Sequence, residues 1–281
     1  MAKAILKKTR EARVRSGHPW VFASDVEKVE GAFEPGDVVE VFSSKGSFQG
    51  RAFYNPKSQI CLRMLTRYDE PVDEAFFRRR VREAIAYRRR FADMDSCRMV
   101  FAESDFLPAL IVDKFSDVLA VQCLCLGMEK WKGMIVRILA EELAPRGIYE
   151  RDDVPVRRLE GMEQVTGLLY GEVPDRVEMT ENGVRYLVDV KSGQKTGFFL
   201  DQKENRAAIR PLAAGARVLD CFCHNGSFAL NAANCGASDV LGVDISEEAV
   251  AVARENAQLN RLSAARFEAA NCFDFLRELS D

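Results

Sequence analysis

The sequence predicts an α/β protein in three parts: a small N-terminal β-barrel over 1–70, an α+β middle region over 71–190, and a partial Rossmann-like domain over 191–281. Three observations carry that reading. Turn signals recur at short spacing between alternating strands through the first 68 residues. A charged segment with helical apolar spacing follows over 73–94. From Arg217 onward, short apolar strands and helix-like stretches follow one another as β-α-β-α-β, the order of a parallel doubly wound sheet.

In the first part, Asp37–Phe42 alternates after a Pro35-Gly36 turn, and Ser43–Ser47 makes the next turn. Phe48–Tyr54 and Ile60–Thr66 read as the strands that follow. In the helix over 73–94, Phe76, Phe77, Val81, Ala84, Ile85 and Tyr87 fall at helical spacing. The arginine triplets 78–80 and 88–90 surround them, available to phosphate or simply lining a solvated face. Leu110–Phe115 and Val118–Leu126 suggest a hairpin, Trp131–Leu143 a helix ending before Pro145 and Gly147, and Gly147–Arg151 a strand. Val177–Thr180, the turn Glu181-Asn182-Gly183 and Val184–Val190 make a second hairpin.

In the third part, Arg217–Phe222 is a buried strand and Gly226 opens a helix. Asp239–Asp244 is the second strand, Ser246 caps the helix 247–260, Ala265–Ala269 is the third strand, and a helix begins at Cys272.

Composition narrows the function. No apolar run approaches the ~20 residues of a membrane helix, and the basic N-terminus has no signal-peptide core, so a cytoplasmic protein without membrane attachment is expected. Residues 1–100 carry 20 Lys and Arg against 14 Asp and Glu, whereas the remainder carries 20 against 29. A polyanion would therefore dock at the front of the chain, unless the bias only decorates solvated faces. The eight cysteines form no CxxC pair and there are only two histidines, His18 and His224. Free thiols in a reducing compartment are expected, with no metal site, Cys221-Phe222-Cys223-His224 included.

Chemistry concentrates at the strand ends of the last part. Asp220 ends the first strand before a tight turn containing Gly226, and Asp244 ends the second, where a carboxylate can accept both ribose hydroxyls. The turn lacks the full glycine pattern of a dinucleotide site, which disfavours a nicotinamide cofactor. Acidic residues on both strand ends suit a cationic amino-acid cofactor better than a diphosphate.

The run Lys191-Ser-Gly-Gln-Lys-Thr-Gly-Phe-Phe-Leu-Asp-Gln-Lys-Glu-Asn-Arg206, with Val218–Leu230 after it, resembles the bacterial large-subunit (23S) ribosomal RNA cytosine-5 methyltransferases that carry an N-terminal PUA domain. His18-Pro-Trp-Val-Phe22, Glu34–Val39 and Tyr149–Val154 extend the resemblance over nearly the whole chain. It implies a PUA-like RNA-binding domain, a class I methyltransferase domain, S-adenosylmethionine as cofactor and large-subunit ribosomal RNA as partner, and a homodimer is compatible with it.

The resemblance also implies site residues. Lys195, Phe198, Phe199 and Gln202 would line the cofactor and substrate cleft, with the two phenylalanines as walls. Asp220, Phe222, Asn225, Gly226 and Ser227 would lie beneath the methionine moiety. Asp244 would hold the ribose and Ile245 the adenine, with Asn271 at its amino edge, and Cys272 would also belong to the cofactor site. Asn271 equally suits a helix N-cap, Phe198 and Phe199 a core, and Asp220 a structural strand end. Lys7, Lys8, Arg10, Arg13, Arg15 and Arg151 would contact RNA.

In that family the nucleophilic cysteine and an Asp/Asn-Pro-Pro loop follow the third strand. No such tripeptide occurs up to Asp281, so the catalytic residues are expected beyond it, in a chain about 100 residues longer, and low activity is expected of this one. Cys221 and Cys223 read as floor or core residues. Three alternatives remain open: methylation of another RNA atom such as a guanine nitrogen, a non-catalytic RNA-binding protein, and a Rossmann oxidoreductase with an aberrant glycine turn.

Overall fold

The computed structural model describes residues 1–279 and divides the chain into two compact units, Met1–Val173 and the chain from Pro174 onward. The first unit holds two sheets. Strands β1 (Lys3–Leu6), β2 (Trp20–Val21), β3 (Val26–Glu30), β4 (Val38–Phe42), β5 (Phe48–Tyr54) and β6 (Leu62–Thr66) pair in the order β2-β6-β5-β4-β1-β3. The end strands do not pair with each other, so the predicted barrel is an open half-barrel. Val39 and Val41 of β4 point into its core with Leu6, Ala52 and Leu62, the period-2 burial that the alternation predicts. Helix α1 (Glu11–Arg15) lies between β1 and β2.

The second sheet is built from β7 (Ser96–Phe101), β8 (Leu110–Phe115), β9 (Val118–Cys123), β10 (Gly147–Asp152) and β11 (Val165–Gly171), in the order β11-β10-β9-β8-β7. Helices α2 (Glu74–Phe91) and α3 (Leu126–Leu143) bury Phe76, Phe77, Val81, Ile135 and Leu139 in the same core as Leu110, Val112 and Val121. Asp73 caps α2 by accepting from the Phe76 N–H at 2.9 Å. Tyr87 departs from the periodic reading: it is exposed near the end of α2.

The start of α3 is five residues earlier than its apolar pattern suggests. The run from Val118 reads as one strand to Leu126, but β9 stops at Cys123, and the Cys125 sulfur caps the helix by accepting from the Met128 N–H at 3.4 Å. Gly127 fits that first turn because a Cβ there would lie 2.2 Å from the Phe53 ring. Strand β11 is absent from the sequence reading; it is an edge strand exposed along most of its length, so no buried period marks it. Cys123, Asp152 and Glu129 of α3 cluster together, and a guanidinium pairs with the two carboxylates. Arg157, from the short helix α4 (Val156–Leu159), donates to Asp152 at 2.6 Å, to Glu129 at 2.9 Å and to the Cys123 carbonyl at 2.6 Å.

The second unit begins with the hairpin β12 (Val177–Glu181) and β13 (Val184–Val188), turned by Asn182 and Gly183 at φ +53° and +81°. The sequence reading places this hairpin in the middle region ending at 190. It packs instead on the helices beyond, α7 (Ser227–Asn234) and α8 (Glu247–Leu259), and an ion pair between Glu181 and Arg206 ties it to α5 (Lys203–Ala208), which α6 (Arg210–Ala213) follows. Buried Asn256 of α8 accepts from the Leu187 N–H at 2.8 Å, and Asn260 accepts from the Arg185 N–H at 2.8 Å. Strands β14 (Arg217–Cys221), β15 (Asp239–Asp244) and β16 (Ala265–Ala269) form a parallel sheet in that order, with α9 (Cys272–Glu278) following β16. Among the described residues no helix is long and apolar enough to cross a membrane, and all eight cysteines are free thiols.

Candidate active site

A cavity of about 820 Å³ opens at the carboxyl ends of β14 and β15, where ligands of open α/β sheets bind. Two carboxylates define it. Asp244 ends β15, and its oxygens accept from the His224 N–H at 2.8 Å and the Ser246 N–H at 3.0 Å. Asp220 accepts from the Ala229 N–H, in the first turn of α7, at 2.9 Å. Burial, with the Asp244 charge nearby, pushes the Asp220 carboxyl up to about 6.

The turn between β14 and α7 bends sharply, with Phe222, His224 and Gly226 at φ +60°, +51° and +78°. Gly226 is required twice over: its backbone is left-handed, and a Cβ would stand 2.6 Å from the Phe267 ring. That ring also lies 2.6 Å from where a Cβ on Gly242 would be, so the turn, β15 and β16 close together over one aromatic side chain.

The opposite wall comes from the loop 189–202. Asp189 anchors it by accepting from the N–H groups of Lys191 at 2.9 Å and Ser192 at 2.8 Å. Its carbonyl accepts from Gly193 at 3.1 Å, and Cβ atoms on Gly193 or Gly197 would lie 2.4 and 2.8 Å from that oxygen. The loop delivers Phe199 edge-on to His224, with ring centroids 5.5 Å apart and the Lys195 ammonium 4.3 Å from the Phe199 centroid.

Of the residues expected at the cleft, the structure brings Lys195, Phe199, Gln202, Asp220, Phe222, Asn225, Ser227 and Asp244 to the cavity wall. The others lie elsewhere. Phe198 is 2% exposed, packed 5.0 Å from the Tyr186 ring and under the Arg206 guanidinium, because only one of two adjacent side chains on this loop can face the cleft. Gly226 works from behind the floor. Cys272 also lies there, its sulfur accepting from the Phe222 N–H at 3.2 Å and donating to the Val243 carbonyl at 3.3 Å. Ile245 is 72% exposed beside Asp244 and outside the cavity wall. Asn271 caps α9 by accepting from the Phe273 N–H at 3.0 Å.

Sequence reasoning missed Asp189, His224, Arg206 and Ser246 at the wall. Asp189-Val-Lys-Ser-Gly carried a turn signal that would have found the first. Nothing marks His224, which matters here through its backbone N–H.

Among the cations assigned to RNA, Lys7, Lys8, Arg10, Arg13 and Arg15 are all exposed around α1. Among the described residues Arg10 and Arg15 make only long pairs, 3.4 Å to Asp25 and 3.5 Å to Glu11. Arg151 does not belong with them. It is 3% exposed on β10, held at 3.1 Å by Asp153, and has no path to a phosphate.

Known proteins share this architecture and sequence. A family model for a PUA-like domain matches residues 4–67, and one for S-adenosylmethionine-dependent methyltransferases matches residues 156–278. A structure described as an S-adenosylmethionine-dependent methyltransferase from Streptococcus mutans superposes with a TM-score of 0.84 at 22% identity, covering 100% of this chain and 73% of that one. At that identity the likeness concerns the fold. A ribosomal RNA large subunit methyltransferase I from Tolumonas auensis is 42% identical over 281 residues, 97% of this chain and 71% of that protein. Its counterpart from Alteromonas mediterranea is 40% identical over 283 residues, 99% of this chain and 71% of that protein. With such relatives matching nearly all of it, the chain belongs to the ribosomal RNA large subunit methyltransferase I family of S-adenosylmethionine-dependent methyltransferases.

Proposed function

We propose that the protein serves methylation of C5 of a cytosine in large-subunit ribosomal RNA, with S-adenosylmethionine bound in the cavity at the ends of β14 and β15. The observation that carries the cofactor assignment is the pair of acidic strand ends. Among the described residues neither Asp220 nor Asp244 has a cationic partner, and half-buried Asp220 is raised by desolvation. A site of this kind favours a ligand that brings its own positive charge. Asp244 would offer carboxylate oxygens to a ribose diol, Asp220 would face an ammonium, and Phe199 and Phe222 would flank the apolar parts. When bound, the cofactor supplies an electrophilic methyl group.

The exposed cations around α1 would hold RNA phosphates while the cleft reads an extruded base. Large-subunit RNA as substrate places the protein with ribosomes in the cytoplasm, in keeping with its free thiols. Attack on C5 needs a thiolate. Burial pushes the Cys223 thiol far up and raises that of Cys221, the opposite of an activated nucleophile. Neither Cys221 nor Cys223 is therefore assigned as the attacking cysteine.

The test is transfer of a tritiated methyl group to deproteinised large-subunit RNA, by this chain and by one carried to the full length of its relatives. Label at cytosine C5 supports the reading, and label on a guanine nitrogen redirects it. No transfer by the longer chain overturns it.

Cofactor binding should also depend on pH. Without ligand, Asp220 is protonated below about 6, and a cationic ligand favours its carboxylate. Affinity should be highest near pH ~7 and fall by up to about tenfold per unit below 6, with proton release on binding. The linkage has the opposite sign for the free protein. Its folded Asp220 binds the proton more tightly than the unfolded chain does, so this group's contribution to stability declines as pH rises from ~4 to 6. Cofactor titrations at pH 5 and 7.5 check the first sign and thermal melts of the free protein at pH 4 and 6 the second, with Asp220→Asn abolishing both differences.

A further inference from the structure

Four aromatic side chains stand in solvent on the middle part of the first unit: Tyr87 (58% exposed), Phe91 (63%), Phe101 (49%) and Phe106 (60%). Tyr87 and Phe91 are neighbours near the end of α2, ring centroids 4.8 Å apart. Phe101 ends β7, and Phe106 follows the short 3-10 turn Ala102–Asp105. Arg88 joins the two pairs: it donates to both Asp105 oxygens and, at 2.9 Å, to the Arg98 carbonyl, while Asp105 accepts from the Phe101 N–H at 2.5 Å.

A guanidinium accompanies every ring. Arg88 lies 5.3 Å from the Tyr87 centroid, Arg90 5.1 Å from Phe91, Arg98 5.2 Å from Phe101 and Arg80 4.9 Å from Phe106. Phe106 is held at φ +56°, a left-handed conformation that aromatic residues seldom adopt, and it gains little burial there. Core packing does not explain these rings. Rings clustered at the surface mark a contact site.

Charge indicates the partner. Toward the start of α2, Arg78, Arg79 and Arg82 are taken up by Glu74, Glu141, Glu142 and Glu70. At its end, among the described residues, Arg89 and Arg90 have no carboxylate partner. We propose that this patch is a stacking platform for unpaired bases of single-stranded RNA, with Arg89 and Arg90 on its phosphates. Flat rings backed by guanidinium planes fit nucleobase faces, which a duplex keeps stacked on one another and a single strand can present. The proposal takes its partner class from the function proposed above; it does not depend on the target atom or on the cofactor site.

The experiment is fluorescence anisotropy of the whole chain with a labelled unstructured RNA 12-mer and with a hairpin duplex of the same composition. Two ring variants are compared with the parent: Tyr87→Ala with Phe91→Ala, and Phe101→Ala with Phe106→Asn, asparagine being tolerant of the left-handed backbone. The single strand should bind more tightly than the duplex. Each variant should lose about tenfold per ring removed, at unchanged cofactor affinity and melting temperature. Arg89→Gln with Arg90→Gln should lower the slope of log affinity against log salt by about 1.4.

Ring variants that fold and bind RNA like the parent overturn the platform and leave the function intact. So does a parent that prefers duplex. If sedimentation shows the ring variants converting a dimer to monomers at unchanged RNA affinity, the patch is a contact between copies and the proposal fails. A parent that binds S-adenosylmethionine but no RNA defeats both this proposal and the RNA reading.

Discussion

Asp244→Ala is expected to abolish measurable S-adenosylmethionine binding. The carboxylate would accept two charge-assisted hydrogen bonds from the ribose hydroxyls, each worth roughly 1.5–3 kcal/mol, so affinity should fall by about 10²–10⁴-fold. A second effect acts in the same direction. The same oxygens hold the His224 and Ser246 N–H groups, so the substitution also releases the turn that forms the cavity floor. Asp244→Asn separates the two, because the amide keeps one acceptor for the backbone and loses the charge. Calorimetric titration should place Asn between the parent and Ala, with both variants folded by circular dichroism. An Ala variant that binds like the parent would remove the cavity as the cofactor site.

The parts of this site that could be read from sequence are those set by local geometry. Asp220 and Asp244 lie at strand ends because β14 and β15 are short apolar runs with clear limits, and Gly226 declares its turn. The hairpin β12–β13 is equally legible from Asn182-Gly183. Its destination is not. That is fixed by Asn256 and Asn260, about 70 residues away, accepting from its backbone, and no local period encodes such a pairing.

Phe198 and Phe199 show the same limit at one position. Both are apolar and adjacent on an irregular loop, and the choice of which faces the cleft rests on Arg206 standing over the first. Arg151 looked like an available cation because charge alone carries no depth. On β10 it faces the buried side, and Asp153 satisfies it.

Arg206→Ala should be the most damaging single change in the second unit. The side chain is 1% exposed on α5 and forms a bidentate pair with Glu181 at 2.6 and 2.9 Å, itself 2% exposed at the end of β12. It also donates to the Phe199 carbonyl at 2.8 Å and lies 4.7 Å from the Phe198 centroid. It thus ties the hairpin to the loop that carries Lys195, Phe199 and Gln202. Removing one member of a buried pair leaves the other charge uncompensated, at a cost of about 3–5 kcal/mol. Lysine should rescue little, since it cannot reproduce the two-pronged contact.

Amide hydrogen exchange in β13 and α8 should accelerate by about two to four orders of magnitude, what that loss implies for globally protected sites. Tryptophan fluorescence supplies an internal control: Trp20 and Trp131 both lie in the first unit, and its unfolding should be unchanged. Pairing Arg206→Met with Glu181→Leu should recover stability, since a well-packed apolar pair often matches a buried ion pair, yet the Phe199 carbonyl loses its anchor. A double variant that is stable but binds cofactor weakly would identify Arg206 as the residue that sets the loop. Equal cofactor affinity in the stable double variant would reduce its role to holding the hairpin.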